Sequence, residues 1–414
     1  MRSRVCGLAL AIGLLFAMGG PTTTVQAHHD NMVVDWNQTM LAAFATANVP
    51  PPNANRLGAT VAASVFDAVN GIERRYQQIH FPAAAPDDAS PQAAAASASH
   101  SALRALFPAQ QASLDAAFAA SLQSISDDGE DGQSIADGVA WGAAVAGNIV
   151  AWRAGDGFSA TPPPYVFNTT PGQWQPTPGG SGPPKFRTLA TTMPWAMTSP
   201  SEFRPGGPPA LTSARFAQDF NEVMSLGSLN STVRTSEQTQ TAVFWQTDTP
   251  VATWDRLADS LLLQNHKNLL QSARILALTD ISIADAIIAV FDAKNAFNSW
   301  RPVTAIRTTV DPTWLPLMTT PYFQEYPSAH SGTSSAAAAV LASFFGEGTS
   351  FTLTSAGLPG VTRDFTSFHD AVAQVTDARV WAGFHFRFSC DDADALGARI
   401  ASNTESTLMQ PARD

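Results

Sequence analysis

"YPSAHSGTSS", residues 326–335, stands directly before the alanine run 336–339. A proline, a serine and a histidine at the mouth of an apolar run read in two ways. One is an ordinary helix start, with Ser328 as the cap and His330 on the surface. The other is an anion site. A helix opening near Ser331 would offer unpaired N–H groups and the positive end of its dipole. Ser328 Oγ would add a hydrogen bond, Pro327 would fix the approach, and His330 would sit beside the oxyanion, where it transfers protons. On this stretch alone the ordinary reading prevails, so the rest of the chain has to decide.

Two further stretches bear on the choice. "FDAKNAFNSWRPVTAIR", 291–307, carries Lys294 and Arg301 seven residues apart. On one helix that spacing is about 700°, so both share a face two turns apart. Pro302 should kink or end that helix. Two long cations in an apolar segment then converge on one anion, or they are solvated surface charge. "DARVWAGFHFRF", 377–388, carries Arg379 and His385 six apart, off a common helical face. Gly383 between them predicts a bend that turns both toward one point. The plain alternative is a core histidine among Trp381, Phe384 and Phe386.

Together the three stretches read K-x6-R-P, P-S-A-H and R-x5-H. That order and spacing resembles the acid phosphatase/vanadium haloperoxidase superfamily, with its K-x6-R-P, P-S-G-H and S-R-x5-H. The wider chain is similar to the secreted bacterial haloperoxidase-like branch in "DWNQTMLAAF" (35–44), "RLGATVAASVFDAVNGI" (56–72), "GQWQPTP" (172–178) and "AGFHFRF" (382–388). The resemblance implies an all-α fold of helical bundles. It implies a pocket for a tetrahedral oxyanion, vanadate or phosphate, clamped by Lys294, Arg301 and Arg379. Arginine forks match oxyanion geometry and lysine acts as a point charge. Ser328 and the Ala329 N–H would bind equatorial oxygens, and His330 would be the acid–base group. His385 would ligate vanadium, or serve as nucleophile in a phosphatase. Trp300 and Phe323 become substrate-pocket candidates.

For a haloperoxidase the co-substrates are hydrogen peroxide and halide, and Lys294 polarises the peroxide. For a secreted phosphatase the substrate is a phosphomonoester and His385 forms a phosphohistidine. A non-catalytic scaffold is a third reading, disfavoured because three buried cations without an anion are costly. The pattern departs from the family at three points. Ala329 replaces glycine, Ala378 replaces serine, and Ser389 stands where many members carry an acid that orients the last histidine. The nearest acids there are Asp391 and Asp392.

Composition limits the remaining functions. The basic start (Arg2, Arg4), the apolar run from about Val5 to Met18 and Val25-Gln26-Ala27 predict a signal peptide over residues 1–27. Its loss would leave 21 basic against 34 acidic residues, so the net charge goes from −11 to −13. An acidic chain of this kind does not bind nucleic acid non-specifically. Only Cys390 would remain, which excludes an internal disulfide. A secreted or periplasmic protein is expected, with no second segment long and apolar enough to span a bilayer. The apolar helices are compatible with a homodimer.

Apolar periodicity predicts helices over 36–76 (broken at "NVPPPNA"), 91–124, 131–153, 212–226, 234–248, 256–276, 280–300, 331–345 and 388–407. Ser282 and Asp285 have capping-box spacing, which suggests a helix start there. The Pro/Gly-rich stretch of about 155–211 predicts a long loop that wraps the body through its aromatic residues. The best strand signal is "TSFTLTS", 349–355. The expected layout is an N-terminal helical region (28–211) and a C-terminal one (212–414) that carries the oxyanion site.

Overall fold

The computed structural model describes residues 31–412, so the expected leader (1–27) lies outside the described residues. The alanine-rich stretches form α1 (Met32–Thr46), α2 (Pro51–Glu73), α3 (Pro91–Leu106), α4 (Gln111–Asp127) and α5 (Gly132–Ala154). The later half contributes α6 (Ala214–Leu226), α7 (Ser236–Gln246), α8 (Pro250–Gln264), α9 (Leu269–Phe297), α10 (Pro302–Thr309), α11 (Ala329–Phe345), α12 (Phe368–Trp381) and α13 (Arg387–Thr407). Side chains of Asn31, Ser90, Asp131, Ser213, Thr235, Thr249, Asn268, Ser328 and Ser367 accept hydrogen bonds from first-turn N–H groups, so local chemistry sets most helix starts. The protein is mainly helical. Its one sheet among the described residues pairs β1 (Phe351–Thr354) antiparallel with β2 (Thr362–Phe365).

The boundaries correct several expectations. The stretch 91–124 is two helices, because Pro108 cannot continue α3. The expected break near residue 280 does not exist. The break falls at 265–268, and α9 runs unbroken for 29 residues. Ser282 and Asp285 therefore lie buried in mid-helix and cap nothing. α12 is a helix that the apolar periodicity does not mark. α5 is long and apolar enough to cross a membrane by length and composition, contrary to the expectation of no such segment.

α9 is the central element, packed against α2 on one side and against α11 and α13 on the other. Its apolar residues up to Ala284 join a buried cluster with α1–α5, α7, α8 and α11–α13, and those from Ala286 to Phe291 join a second one with Leu189, Met197 and Leu396. Backbones come unusually close where glycine permits it. A Cβ on Gly142 of α5 would meet the Ala94 carbonyl oxygen of α3 at 2.3 Å, and one on Gly397 of α13 would meet that of Gly332 of α11 at 2.2 Å.

The long segment after α5 wraps the body. Trp174 is fully buried. Its backbone N–H donates to the Asn298 carbonyl at 2.6 Å, and the backbone N–H of Trp300 donates back to the Gly172 carbonyl at 2.9 Å. Farther along, the N–H groups of Trp195, Ala196 and Met197 donate to the Asp285 carboxylate at 2.7–3.1 Å. Asp285 is thus an anchor for the loop, which explains a carboxylate in the middle of an apolar helix: three donors satisfy it.

Candidate active site

Each of the three motif stretches supplies its side chains from a helix end. In the first, Lys294 lies in the last turn of α9. The helix stops at Asn298, whose left-handed φ of 48° turns the chain. Arg301 is then extended and forms the N-cap of α10, with Pro302 in the first turn. Lys294 and Arg301 therefore do not share one helix face, as their spacing had suggested. The turn between them brings them together.

In the second, Ser328 is the N-cap of α11. Its Oγ accepts from the Ser331 N–H and the Ser331 hydroxyl. Ala329 and His330 open the first turn, where N–H groups have no intrahelical partner. The ordinary reading and the anion-site reading both describe this helix end. In the third, Arg379 lies in the last turn of α12. Gly383 takes φ +80°, and the chain reverses into α13 through His385. The expected bend is real and has this physical cause.

The charges form one buried group. Lys294, Arg301 and Arg379 are at most 1% exposed, and His385 is 2% exposed. Arg301 donates through Nε to the Phe323 carbonyl (2.8 Å) and through Nη1 to the Phe384 carbonyl (2.9 Å) and His385 Nε2 (3.1 Å). Arg379 Nη1 donates to Gln246 Oε1 at 2.7 Å. Lys294 Nζ donates to the carbonyls of Gln324, Glu325 and Pro327 at 2.6–2.8 Å. Phe323 lies against both Lys294 and Arg301, at 5.3 and 5.0 Å from its ring centre.

The Lys294 contacts use all three ammonium protons. Lys294 thus gives the site a positive field and holds the 324–327 turn, and it has no proton left to donate to a ligand. Burial, then Arg301, pulls its pKa well down. Three carbonyl acceptors need three protons, so the amine is charged.

His385 is oriented by a residue the sequence reading missed. Its Nδ1 lies 2.8 Å from Glu325 Oε1, and Glu325 is fully buried. A carboxylate accepts, so Nδ1 carries the proton and Nε2 presents its lone pair to Arg301. Ser389 Oγ is 3.3 Å from the same Nδ1. Burial raises the Glu325 pKa to about 7, with Arg301 and Lys294 pulling it back. The His385 pKa is held well below the ordinary value by burial, then by Arg301 and Lys294. His385 is therefore neutral, as a ligand or nucleophile must be. A signal for Glu325 did exist, since it is the one acidic residue between Asp311 and Glu347.

A cavity of about 450 Å³ opens onto Ala329, His330, Arg379, His385 and Phe323. Around it, Arg301 Nη2, Arg379 Nε and His330 Nε2 are buried without a protein partner. Burial, then Arg379, holds the His330 pKa well below the usual range, with a backbone hydrogen bond to Asp248 opposing it. Unpartnered guanidinium N–H groups, a helix N-terminus and an available imidazole lone pair form a donor set that suits a tetrahedral oxyanion. Trp300 is not part of this wall. It packs with Val303, Ile306, Trp314 and Tyr326 in a separate apolar cluster, so its expected pocket role is withdrawn. Phe323 does line the cavity.

Comparison with known proteins agrees with this architecture. Residues 274–414 match the family model described as the VCPO second helical-bundle domain. That stretch contains Lys294, Arg301, Glu325 and Arg379, with His330 and His385. The chain is similar to the crystal structure of the first bacterial vanadium-dependent iodoperoxidase, with a TM-score of 0.82 and 24% identity over 92% of this chain and 98% of that one. It is also similar to the holo-type bacterial vanadium-dependent chloroperoxidase, with a TM-score of 0.68 and 17% identity over 86% of this chain and 92% of the other. No curated protein matches by sequence. The fold is the helical fold of these peroxidases. The family match covers the C-terminal bundle alone, and over the rest of the chain the likeness is one of fold.

Proposed function

We propose that this protein is a vanadium-dependent haloperoxidase that oxidises halide with hydrogen peroxide to hypohalous acid. The observation that carries the reading is the pairing of His385 with its surroundings. Glu325 fixes the proton on Nδ1, which leaves Nε2 with an unprotonated lone pair, here accepting from Arg301 Nη1 at 3.1 Å. Bound vanadate supplies a Lewis-acidic centre that activates peroxide toward halide. The residues that would hold it are His385 through Nε2, Arg301 through Nη2 and Arg379 through Nε. Ser328 and the first N–H groups of α11 would add to them.

Arg301 and Arg379 neutralise the anion's charge, and Lys294 adds to the positive field from behind the 324–327 turn. His330 Nε2 has no protein partner and faces the cavity, so it takes up and returns the proton of the incoming peroxide. Its lowered pKa keeps it neutral and able to accept that proton. Phe323 covers the two cations beneath it and limits their access to water. The names of the similar structures, an iodoperoxidase and a chloroperoxidase, favour peroxidase over phosphatase chemistry at the same residues. Export to the periplasm or the medium by the leader over 1–27 belongs to the same proposal.

The test is a paired assay on purified protein. One arm follows iodide and bromide oxidation by hydrogen peroxide with and without orthovanadate. The other follows phosphomonoester hydrolysis without vanadate. Vanadate-dependent oxidation that disappears in His385→Ala supports the reading. Vanadate-inhibited hydrolysis, with no halide oxidation above that of free vanadate, transfers the protein to the phosphatases with His385 as the nucleophile.

A further inference from the structure

The cavity above the cations is far larger than halide and peroxide need. A water-sized molecule takes about 30 Å³, whereas the cavity offers about 450 Å³, within the range that holds organic ligands. Its floor and its walls come from different parts of the chain. The floor, Arg379, His385 and His330, lies within 274–414. Much of the wall comes from earlier segments: Pro50, Pro51 and Pro52 at the start of α2, Phe186 of the long loop, and Pro250 at the start of α8.

The prolines at the starts of α2 and α8 share the lining with Phe186, Tyr322 and Phe323. Phe186 meets Phe323 edge-on at 6.1 Å. Tyr322 is pinned by its hydroxyl, which donates to the Gly182 carbonyl at 2.9 Å, and by the edge of Trp174 at 5.3 Å. No carboxylate lines the cavity among the described residues, while Lys185 and Arg379 do. Such a site repels organic cations. It favours a planar ring, whose face packs on proline and aromatic surfaces and tolerates guanidinium groups below it.

We propose that this cavity binds an uncharged aromatic molecule of about one or two rings, held between the proline–aromatic wall and the cationic floor. Selectivity for it is then shared between Tyr322 and Phe323 and the wall residues from α2, the long loop and α8, apart from the oxyanion residues. Its use as acceptor of the oxidised halogen rests on the haloperoxidase reading, but its binding does not.

The test is a fluorescence titration of the full chain with 2-naphthol at pH 6, without halide, peroxide or vanadate. Saturable binding is expected with a dissociation constant on the order of 0.1–1 mM, as befits so small a ligand. The cation of 1-naphthylmethylamine, similar in shape, should bind about tenfold more weakly or worse. Saturating orthophosphate should leave naphthol bound, since the two occupy floor and wall. Pro51→Asp puts a carboxylate on the exposed wall at a helix N-terminus that tolerates acids, so folding is preserved. It should weaken naphthol about fivefold and leave orthophosphate affinity within about twofold. Absence of saturable naphthol binding, equal affinity for the amine, displacement by orthophosphate, or an unaffected Pro51→Asp would each overturn the proposal. A protein inactive toward halide that still binds naphthol in this pattern would sink only the haloperoxidase reading.

Discussion

The Glu325 carboxylate lies 2.8 Å from His385 Nδ1, and both side chains are buried. The contact joins the turn before α11 to the turn before α13, 60 residues apart in sequence. It sets the imidazole tautomer, and groups in that position behind a metal-ligating histidine commonly change affinity 10–100-fold. Glu325→Ala should therefore weaken orthovanadate binding by roughly that factor, measured by equilibrium dialysis. Glu325→Gln keeps an acceptor for Nδ1–H and should recover most of the loss, to within about fivefold of the parent. Equal losses in both variants would mean that charge, and not tautomer control, is what Glu325 supplies.

That contact also shows what could be read from the sequence. The three cation and histidine motifs were legible, because each spans a few residues and sits at a helix end that local turn chemistry defines: Asn298 and Pro302, Ser328, Gly383. Ser389 signalled that the usual acid behind His385 was missing. Its replacement could not be found by local spacing, because Glu325 arrives through tertiary packing. Gln246, which holds Arg379, was invisible for the same reason. Asp285 misled outright. A serine and an acid three residues apart look like a cap, yet this acid receives three N–H groups from a loop about 90 residues earlier. Trp300 misled more mildly, since adjacency to Arg301 in sequence became burial in a different cluster.

Lys294 should prove as much a structural residue as a functional one. Its ammonium satisfies three carbonyls of the 324–327 segment at once. Lys294→Met leaves those carbonyls buried without donors, at an expected net loss of about 2–4 kcal/mol in urea unfolding. Loss of oxyanion affinity should accompany it, because the same turn carries Glu325 and leads into Ser328. A Lys294→Met protein of unchanged stability would show that the contacts to the turn are dispensable.

Gly383 makes the reversal that brings Arg379 and His385 together. It combines φ +80° with a Cβ position only 2.6 Å from the Gly227 carbonyl oxygen. Gly383→Ala should cost about 2–4 kcal/mol of stability and weaken orthophosphate or orthovanadate binding. Gly348, with open space around it and an ordinary φ, is the matched control, and Gly348→Ala should change stability by less than about 0.5 kcal/mol. Similar effects at the two positions would mean that the strained turn is not what aligns the site.

A buried acidic group that does not line the cavity should govern the pH dependence of stability. Asp255 and Asp280 are fully buried side by side, with no donor from any other residue and a hydrogen bond between the two carboxyl groups when Asp255 holds a proton. Asp259 is nearly so and accepts from Asn37 at 3.0 Å. Burial first, then neighbouring acids, raises the Asp255 pKa well above the ordinary value; burial raises Asp280 to about 7. Burial raises Asp259 to about 8, with Asn37 opposing and Asp280 adding to the rise. Each folded value exceeds the unfolded one near 4. The folded state therefore binds more protons, and stability falls as pH rises from about 4 toward 8. Asp259→Asn keeps the oxygen that Asn37 uses and removes the ionisation. It should raise the thermal midpoint by about 2–3 °C at pH 8 and leave it nearly unchanged at pH 4. Scanning calorimetry at the two pH values checks this, and a gain of equal size at both would show that Asp259 does not hold a proton in the folded protein.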